Sequence, residues 1–271
     1  MKRTALKIAY IGTNFHGFQR QPELRTVEGE IIYTLKKLEY IDDLKKSRFR
    51  IAGRTDTGVH SLGNVISFQT EKEIHINQIN NQLPDDIQIL AQAPVRYGFK
   101  PRYAKQRHYR YILLEKNINI NLIKECAKIF ERTHNFINFS KRKQKTPTRT
   151  IDKINIITPE INNNNQPIFI DVYGESFLWN MVRKMARIFQ LVGTEKIELN
   201  DVKKLLEPQK EKAPIKVMPA NQLILMNTEY DGIKFKKDEY ATIRFQRILK
   251  ENILNYQTNQ KLTECLLKSL K

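Results

Sequence analysis

One order of secondary structure, run through twice, is what most constrains this chain. Residues 3–11 (RTALKIAYI) have the apolar, β-branched character of a strand and are closed by Gly12-Thr13-Asn14. Residues 26–40 predict a helix: Thr26 is placed to cap it, Glu28 and Glu30 sit in its first turn, and Val27, Ile31, Leu35 and Leu38 recur on one face. Strands at 48–52 and 64–70, a short helix at 76–82 and a strand at 87–93 complete β-α-β-β-α-β, the ferredoxin-like order. Beyond a Pro-containing bridge at 94–101 the order returns. A strand at 106–115 precedes a helix at 119–132, strands at 151–158 and 166–173, a helix at 177–192 and a strand at 223–229. Longer inserts fall around 136–149 and 193–222. The expected fold class is α+β, with two ferredoxin-like units whose sheets lie side by side around a central cleft. The expected domains are an N-terminal unit at 1–97, a C-terminal unit at 98–236 and a basic helical tail at 237–271 with no strong apolar face.

The two units differ at one joint between strands. In the second, Asn162 to Asn165 make a polar loop. In the first, the joint runs Gly53-Arg54-Thr55-Asp56-Thr57-Gly58-Val59-His60-Ser61-Leu62-Gly63, with three glycines bracketing a charged centre. Such a loop can turn sharply and bring its backbone close to a ligand. The guanidinium of Arg54, two residues from Asp56, favours an ionised carboxylate of the kind a nucleophile requires. Read alone, the loop fits slightly better an Asp bonded to its own turn, with Arg54 on the surface. Asp56-Thr57-Gly58 is also the aspartic-protease tripeptide, but that chemistry needs two such carboxylates sharing a proton, and no second Asp-Thr-Gly occurs.

Charge points to the partner. Lys and Arg number 47 against 29 Asp and Glu, a formal net charge of +18, which suits a polyanion. Between 96 and 111 the cations Arg96, Lys100, Arg102, Lys105, Arg107 and Arg110 are interleaved with Tyr97, Phe99, Tyr103, Tyr109 and Tyr111, and no acid interrupts them. Cations neutralise phosphates while rings stack on bases. Tyr111 and Phe99 are assigned to the core. A second basic stretch, Lys141-Arg142-Lys143-Gln144-Lys145, suits either phosphate contact or a solvated loop. The stretch Phe177 to Arg183 opens the helix at 177–192, with Phe177, Met181 and Val182 on its buried side.

Cys126 and Cys265 are far apart, fit a reduced compartment and are expected to be buried. The five histidines form no metal-like cluster. No secretory h-region opens the sequence, and no apolar run reaches the roughly 18 residues of a membrane span. A soluble, cytoplasmic protein with no metal is expected.

Taken together, these pieces resemble the TruA family of tRNA pseudouridine synthases. Gly53-Arg54-Thr55-Asp56-Thr57-Gly58-Val59-His60 is similar to that family's active-site motif G-R-T-D-x-G-V-H. Phe18-Gln19-Arg20-Gln21 resembles its aromatic-Q-R-Q. Tyr109-Arg110-Tyr111 resembles its Y-x-Y strand, His134-Asn135-Phe136-Ile137-Asn138-Phe139 its H-D-F-x-x-F, and Phe177 to Arg183 its F-x-x-x-M-V-R. The motifs stand in family order over residues 1 to about 230. Thr57 and Ser61 replace a frequent alanine, Phe18 a frequent tryptophan and Asn135 a frequent aspartate.

The resemblance implies a role for each matched residue. Asp56 is the nucleophile or general base at the uridine, Arg54 helps displace or hold the nucleotide, Tyr109 stacks on uracil, and Arg183 pairs with Asp56 and keeps it ionised. Arg110, Phe18, Gln19, Arg20, Lys141 and Arg142 are expected to contact RNA. It further implies tRNA as partner, uridines of the anticodon stem-loop around positions 38 to 40 as targets, a homodimer, and no cofactor. Two other classes compete. A non-catalytic RNA-binding protein explains the charge but not the Arg54–Asp56 loop. A metal-dependent nuclease needs clustered carboxylates, and none stands near Asp56 in the sequence.

Overall fold

A computed structural model describes residues 2–141, 145–158, 167–207 and 213–270. The first half runs β1 (Lys2–Tyr10), α1 (Val27–Lys37), β2 (Arg50–Ile51), β3 (His60–Thr70), α2 (Ile76–Gln82) and β4 (Ile87–Pro94). The second runs β5 (Gln106–Leu114), α3 (Ile120–Phe130), β6 (Arg132–Asn135), β7 (Thr148–Ile157), β8 (Pro167–Gly174), α4 (Met181–Gly193), α5 (Leu199–Leu206) and β9 (Leu223–Glu229). A two-residue strand β10 (Lys236–Lys237) and a long helix α6 (Glu239–Ser269) follow.

Among the described residues the strands form one sheet in the order β10-β4-β1-β3-β9-β5-β8-β7-β6, with β2 paired to β3. Each half contains the same arrangement, fourth strand beside first, first beside third, third beside second: β4-β1-β3-β2, then β9-β5-β8-β7. This is the doubled α+β unit that the element order predicts. The halves are joined by a short parallel pairing of β3 with β9, His60 opposite Ile224 and Ser61 opposite Leu225.

Each half buries its own helices. In α1, Thr26 accepts a hydrogen bond from Gly29 N at 3.2 Å, and Val27, Ile31 and Leu35 pack with Leu6, Ile8 and Phe68. In the second half Ile123, Cys126 and Phe130 of α3 and Met185, Ile188 and Phe189 of α4 cover Tyr111, Leu113, Ile168, Ile170 and Val172. Burying one such aliphatic or aromatic side chain contributes about 1.5–3 kcal/mol, so each cluster holds its own half rigid on its side of the seam.

Several expectations are corrected. The strand foreseen at 48–52 pairs only over Arg50–Ile51. The helix foreseen from 177 begins at Met181, because Asn180 adopts a left-handed backbone with φ of 67°. Residues 177–180 therefore form a loop. Both β6, just before the first insert and starting where the foreseen helix 119–132 was to end, and α5, within the second insert, were unforeseen. In α5 the Glu198 N–H donates to Asp201 Oδ2 at 3.2 Å, an N-terminal signal three residues apart in the sequence. Cys126 is buried, but Cys265 is exposed on α6. The foreseen loop Asn162 to Asn165 lies outside the described residues. No helix among the described residues is long and apolar enough to cross a membrane.

Candidate active site

The glycine-bracketed joint occupies the turn entering β3, at the seam between halves. Its backbone is tied down on three sides. Phe18 N–H donates to Thr55 O at 3.0 Å, Asn64 Nδ2 donates to Gly53 O at 3.1 Å, and Val59 N–H donates to Asp56 O at 3.1 Å. Thr55 Oγ1 and Tyr10 Oη share a hydrogen bond of 2.8 Å inside the core. Burial drives the Tyr10 phenol well above its ordinary value, so the hydroxyl stays protonated. The turn closes with Gly58 at φ +85°, a left-handed conformation that suits glycine. Beneath it, a Cβ on Gly12 would stand 2.1 Å from Val59 O. The seat is thus shaped by the first strand and the segment after it, and it aims Asp56 at the second half.

Two donors from the second half meet Asp56. Arg183 Nη1 donates to Oδ2 at 2.8 Å, and Trp179 Nε1 donates to Oδ1 at 2.8 Å. Arg183 is itself held: its Nε donates to Met218 O at 2.7 Å, and Nη1 also reaches Asn180 Oδ1 at 3.2 Å. The Arg183 side chain is 16% exposed and that of Asp56 28%, so the pair is partly withdrawn from solvent, where a charge-assisted bond is screened less than on an outer surface.

Tyr109, on β5 beside the seam, is half-buried and meets Phe177 edge to face, with ring centroids 5.1 Å apart. Burial raises its phenol above the ordinary value; Arg107 opposes this and the Asp56 carboxylate adds to it. Tyr109 and Asp56 therefore share one electrostatic neighbourhood. Tyr111, two residues on, is fully buried and donates to Gln222 Oε1 at 2.6 Å.

The structure does not bring every foreseen residue to the site. Arg54 is exposed and makes no hydrogen bond or ion pair with a described residue; Arg183 takes the place at the carboxylate that its sequence position suggested for Arg54. Arg110 alternates with Tyr109 along β5 and points to the other face. There its Nε and Nη2 donate to Asp171 at 2.6 and 2.7 Å. Phe18 is fully buried beside Tyr10, a core ring rather than a surface one. Gln19 and Arg20 are exposed, and Arg20 N–H donates to Glu28 Oε2 at 2.7 Å. Lys141 places its Nζ 4.4 Å over the Trp179 ring. Arg142 lies outside the described residues.

Two participants have roles that the sequence did not suggest: Trp179, and Arg107, which was counted with the phosphate-binding cations of 96–111. Trp179 is the chain's one tryptophan, and the loop that carries it was read as helix. Arg107 is buried at the seam, where Nη2 donates to Ala52 O at 3.0 Å and to Arg102 O at 2.8 Å, with Nη1 on Glu175 O. Its guanidinium ties the halves together. His60 is a further tie: Gly12 N–H donates to Nδ1 at 3.1 Å, which fixes the other nitrogen as the donor to Asn221 O at 3.2 Å, and burial lowers its proton affinity. Among the described residues no group of His, Cys, Asp or Glu is arranged to hold a metal ion.

The sequence matches known proteins over its whole length. A family model described as tRNA pseudouridine synthase matches residues 126–231. A protein of Methanobrevibacter smithii named tRNA pseudouridine synthase A is 59% identical over 283 residues, covering 100% of this chain and 98% of that protein. Proteins of the same name from Methanosphaera stadtmanae and Thermococcus sibiricus are 46% and 42% identical, covering 100% and 99% of this chain and 100% of each relative.

Proposed function

The chain belongs to the tRNA pseudouridine synthase family, and from that premise we propose that it isomerises uridine to pseudouridine in the anticodon stem-loop of tRNA, around positions 38 to 40, with Asp56 as the acting carboxylate. The observation that carries this reading is that Asp56, seated by the first half, receives both its side-chain hydrogen bonds from the second half, through Arg183 and Trp179.

The reaction breaks the C1′–N1 bond of uridine, turns the uracil and joins C1′ to C5; the proton leaving C5 is balanced by one gained at N1. It is an intramolecular transfer, so nothing is oxidised and no group is brought from outside. The target base must first leave its stack, at a cost of a few kcal/mol that phosphate contacts and ring stacking offset. Tyr109 is proposed as the stacking ring. Its edge-on packing against Phe177 fixes the ring plane before substrate arrives.

Asp56 then acts as nucleophile or general base on the extruded nucleotide. Both hydrogen bonds on its carboxylate are ones the anion accepts, one of them from the Arg183 guanidinium. Arg54, exposed at the rim of the same turn, is proposed to hold the displaced nucleotide. Gln19, Arg20 and Lys141 are proposed as contacts to RNA further out, supported by their exposure and by the net charge of +18. The proposed domains are 1–97, carrying the Asp56 loop, 98–236, carrying Tyr109 and Arg183, and the tail 237–271. A cytoplasmic location is proposed from the sparse, unclustered cysteines, and a homodimer from the family resemblance.

The test is a map of pseudouridine in tRNA from cells lacking this gene. Pseudouridine is expected to vanish around positions 38 to 40 and to return when the gene is restored. Loss confined to another arm of the tRNA overturns the target assignment.

A further inference from the structure

Trp179 occupies the place that a substrate must reach. Its indole N–H sits on Asp56 Oδ1, the oxygen that Arg183 does not hold. The ring is 36% exposed and is carried by the loop between β8 and α4, which ends at the left-handed Asn180. Lys141 lies against it from outside, with Nζ 4.4 Å over the ring and Lys141 N–H donating to Trp179 O at 2.9 Å. A nucleotide atom that reaches Oδ1 therefore meets an oxygen already engaged by this N–H.

We propose that Trp179 is a displaceable cap over Asp56: in the RNA-free enzyme its indole holds Oδ1, and the entering uridine exchanges for it while Lys141 leaves the ring face for a phosphate. The proposal rests on the reading of Asp56 as the acting carboxylate. Until substrate arrives, the cap keeps a charged oxygen hydrogen-bonded and stops the Lys141 ammonium, a few ångströms beyond the ring, from collapsing onto it as a competing ion pair. The bond is partly exposed, so exchange with a substrate atom is nearly balanced rather than prohibitive. Trp179 is thus a positioning residue whose contact belongs to the free enzyme and not to the reacting complex. A contact made only in the free enzyme and given up on binding raises KM and lowers kcat/KM.

The test uses the full chain and unmodified tRNA transcripts. Trp179→Phe keeps a ring for Lys141 and removes the N–H. Its KM is expected to fall about 3–10-fold, the net worth of one ordinary, partly exposed hydrogen bond, with kcat/KM rising accordingly. A fall in kcat at unchanged KM overturns the cap and makes the N–H a participant in the chemistry. The second measurement needs no variant, because Trp179 is the only tryptophan. Its emission is expected to shift further on binding unmodified tRNA than on binding polyadenylate at matched occupancy, which offers phosphates for Lys141 but no uridine for Asp56. An equal response to both RNAs overturns the cap. If neither wild type nor Trp179→Phe forms pseudouridine, the underlying reading of the site fails, a result distinct from an active enzyme whose KM is indifferent to the substitution.

Discussion

Arg183 Nη1 stands 2.8 Å from Asp56 Oδ2, joining residues 127 positions apart and on opposite sides of the seam between β3 and β9. The contact makes the carboxylate's setting a property of both halves at once. Neither unit alone presents an Asp with a guanidinium on one oxygen and an indole N–H on the other.

Arg183→Met keeps the length of the side chain and removes the charge. Loss of a positioned charged donor at a reacting centre costs about 10²–10³ in kcat. Single-turnover rates with unmodified tRNA are expected to drop by that factor, while tRNA affinity changes far less. Arg183→Lys, a point charge that cannot serve Met218 O and Asp56 together from a fork, should recover only part of the loss.

For Tyr109 the two roles of ring and hydroxyl separate cleanly. Tyr109→Phe retains the plane that meets Phe177 and is expected to keep kcat within a few-fold. Tyr109→Leu removes about 1–3 kcal/mol of stacking, so kcat/KM should fall roughly tenfold or more. Equal losses in the two variants, read from steady-state kinetics, exclude a stacking role.

Gly58 closes the Asp56 turn at φ +85°. An alanine there has ordinary space but pays about 1–2 kcal/mol for the left-handed backbone. The expected result is a melting temperature lower by a few degrees together with a disproportionate loss of kcat, because the strained turn is the one that aims the carboxylate. A variant that melts lower yet turns over at the wild-type rate contradicts that link.

Arg110 predicts an effect on stability rather than on RNA. Burial works to raise the Asp171 carboxyl, and the Arg110 guanidinium with the neighbouring His108 ring outweighs it, leaving Asp171 at about 2 against an ordinary 3.8. A carboxyl depressed by folding stabilises the fold above its unfolded value and loses that contribution as pH falls from about 4 to 2. The difference corresponds to about 2 kcal/mol. Arg110→Met should therefore unfold more readily than wild type at pH 7 in urea, and the two curves should converge as pH approaches 2. A constant gap across that range refutes the pairing as its source.

Much of this was legible in the sequence, and the failures have physical causes. The doubled β-α-β-β-α-β order is written in hydrophobic periodicity, which burial enforces in α1 and in β8, where Ile168, Ile170 and Val172 alternate inward. The Asp56 turn announces itself because its glycines are needed for backbone shape. Arg110 misled because its segment alternates cations and rings, and a strand sends neighbours to opposite faces. The Arg54 reading failed through proximity: two residues along a turn point apart, while a residue on α4 can reach across. Trp179 was hidden inside a stretch that reads as continuous helix, and only the left-handed backbone at Asn180 turns it out to the carboxylate.

The central claim is that one carboxylate performs the isomerisation. Its most direct test is pseudouridine formation by Asp56→Ala on unmodified tRNA, with binding followed in parallel. The account predicts no detectable product, tRNA affinity within a few-fold of wild type and a melting temperature little changed. Product formed at anything near the wild-type rate would contradict it.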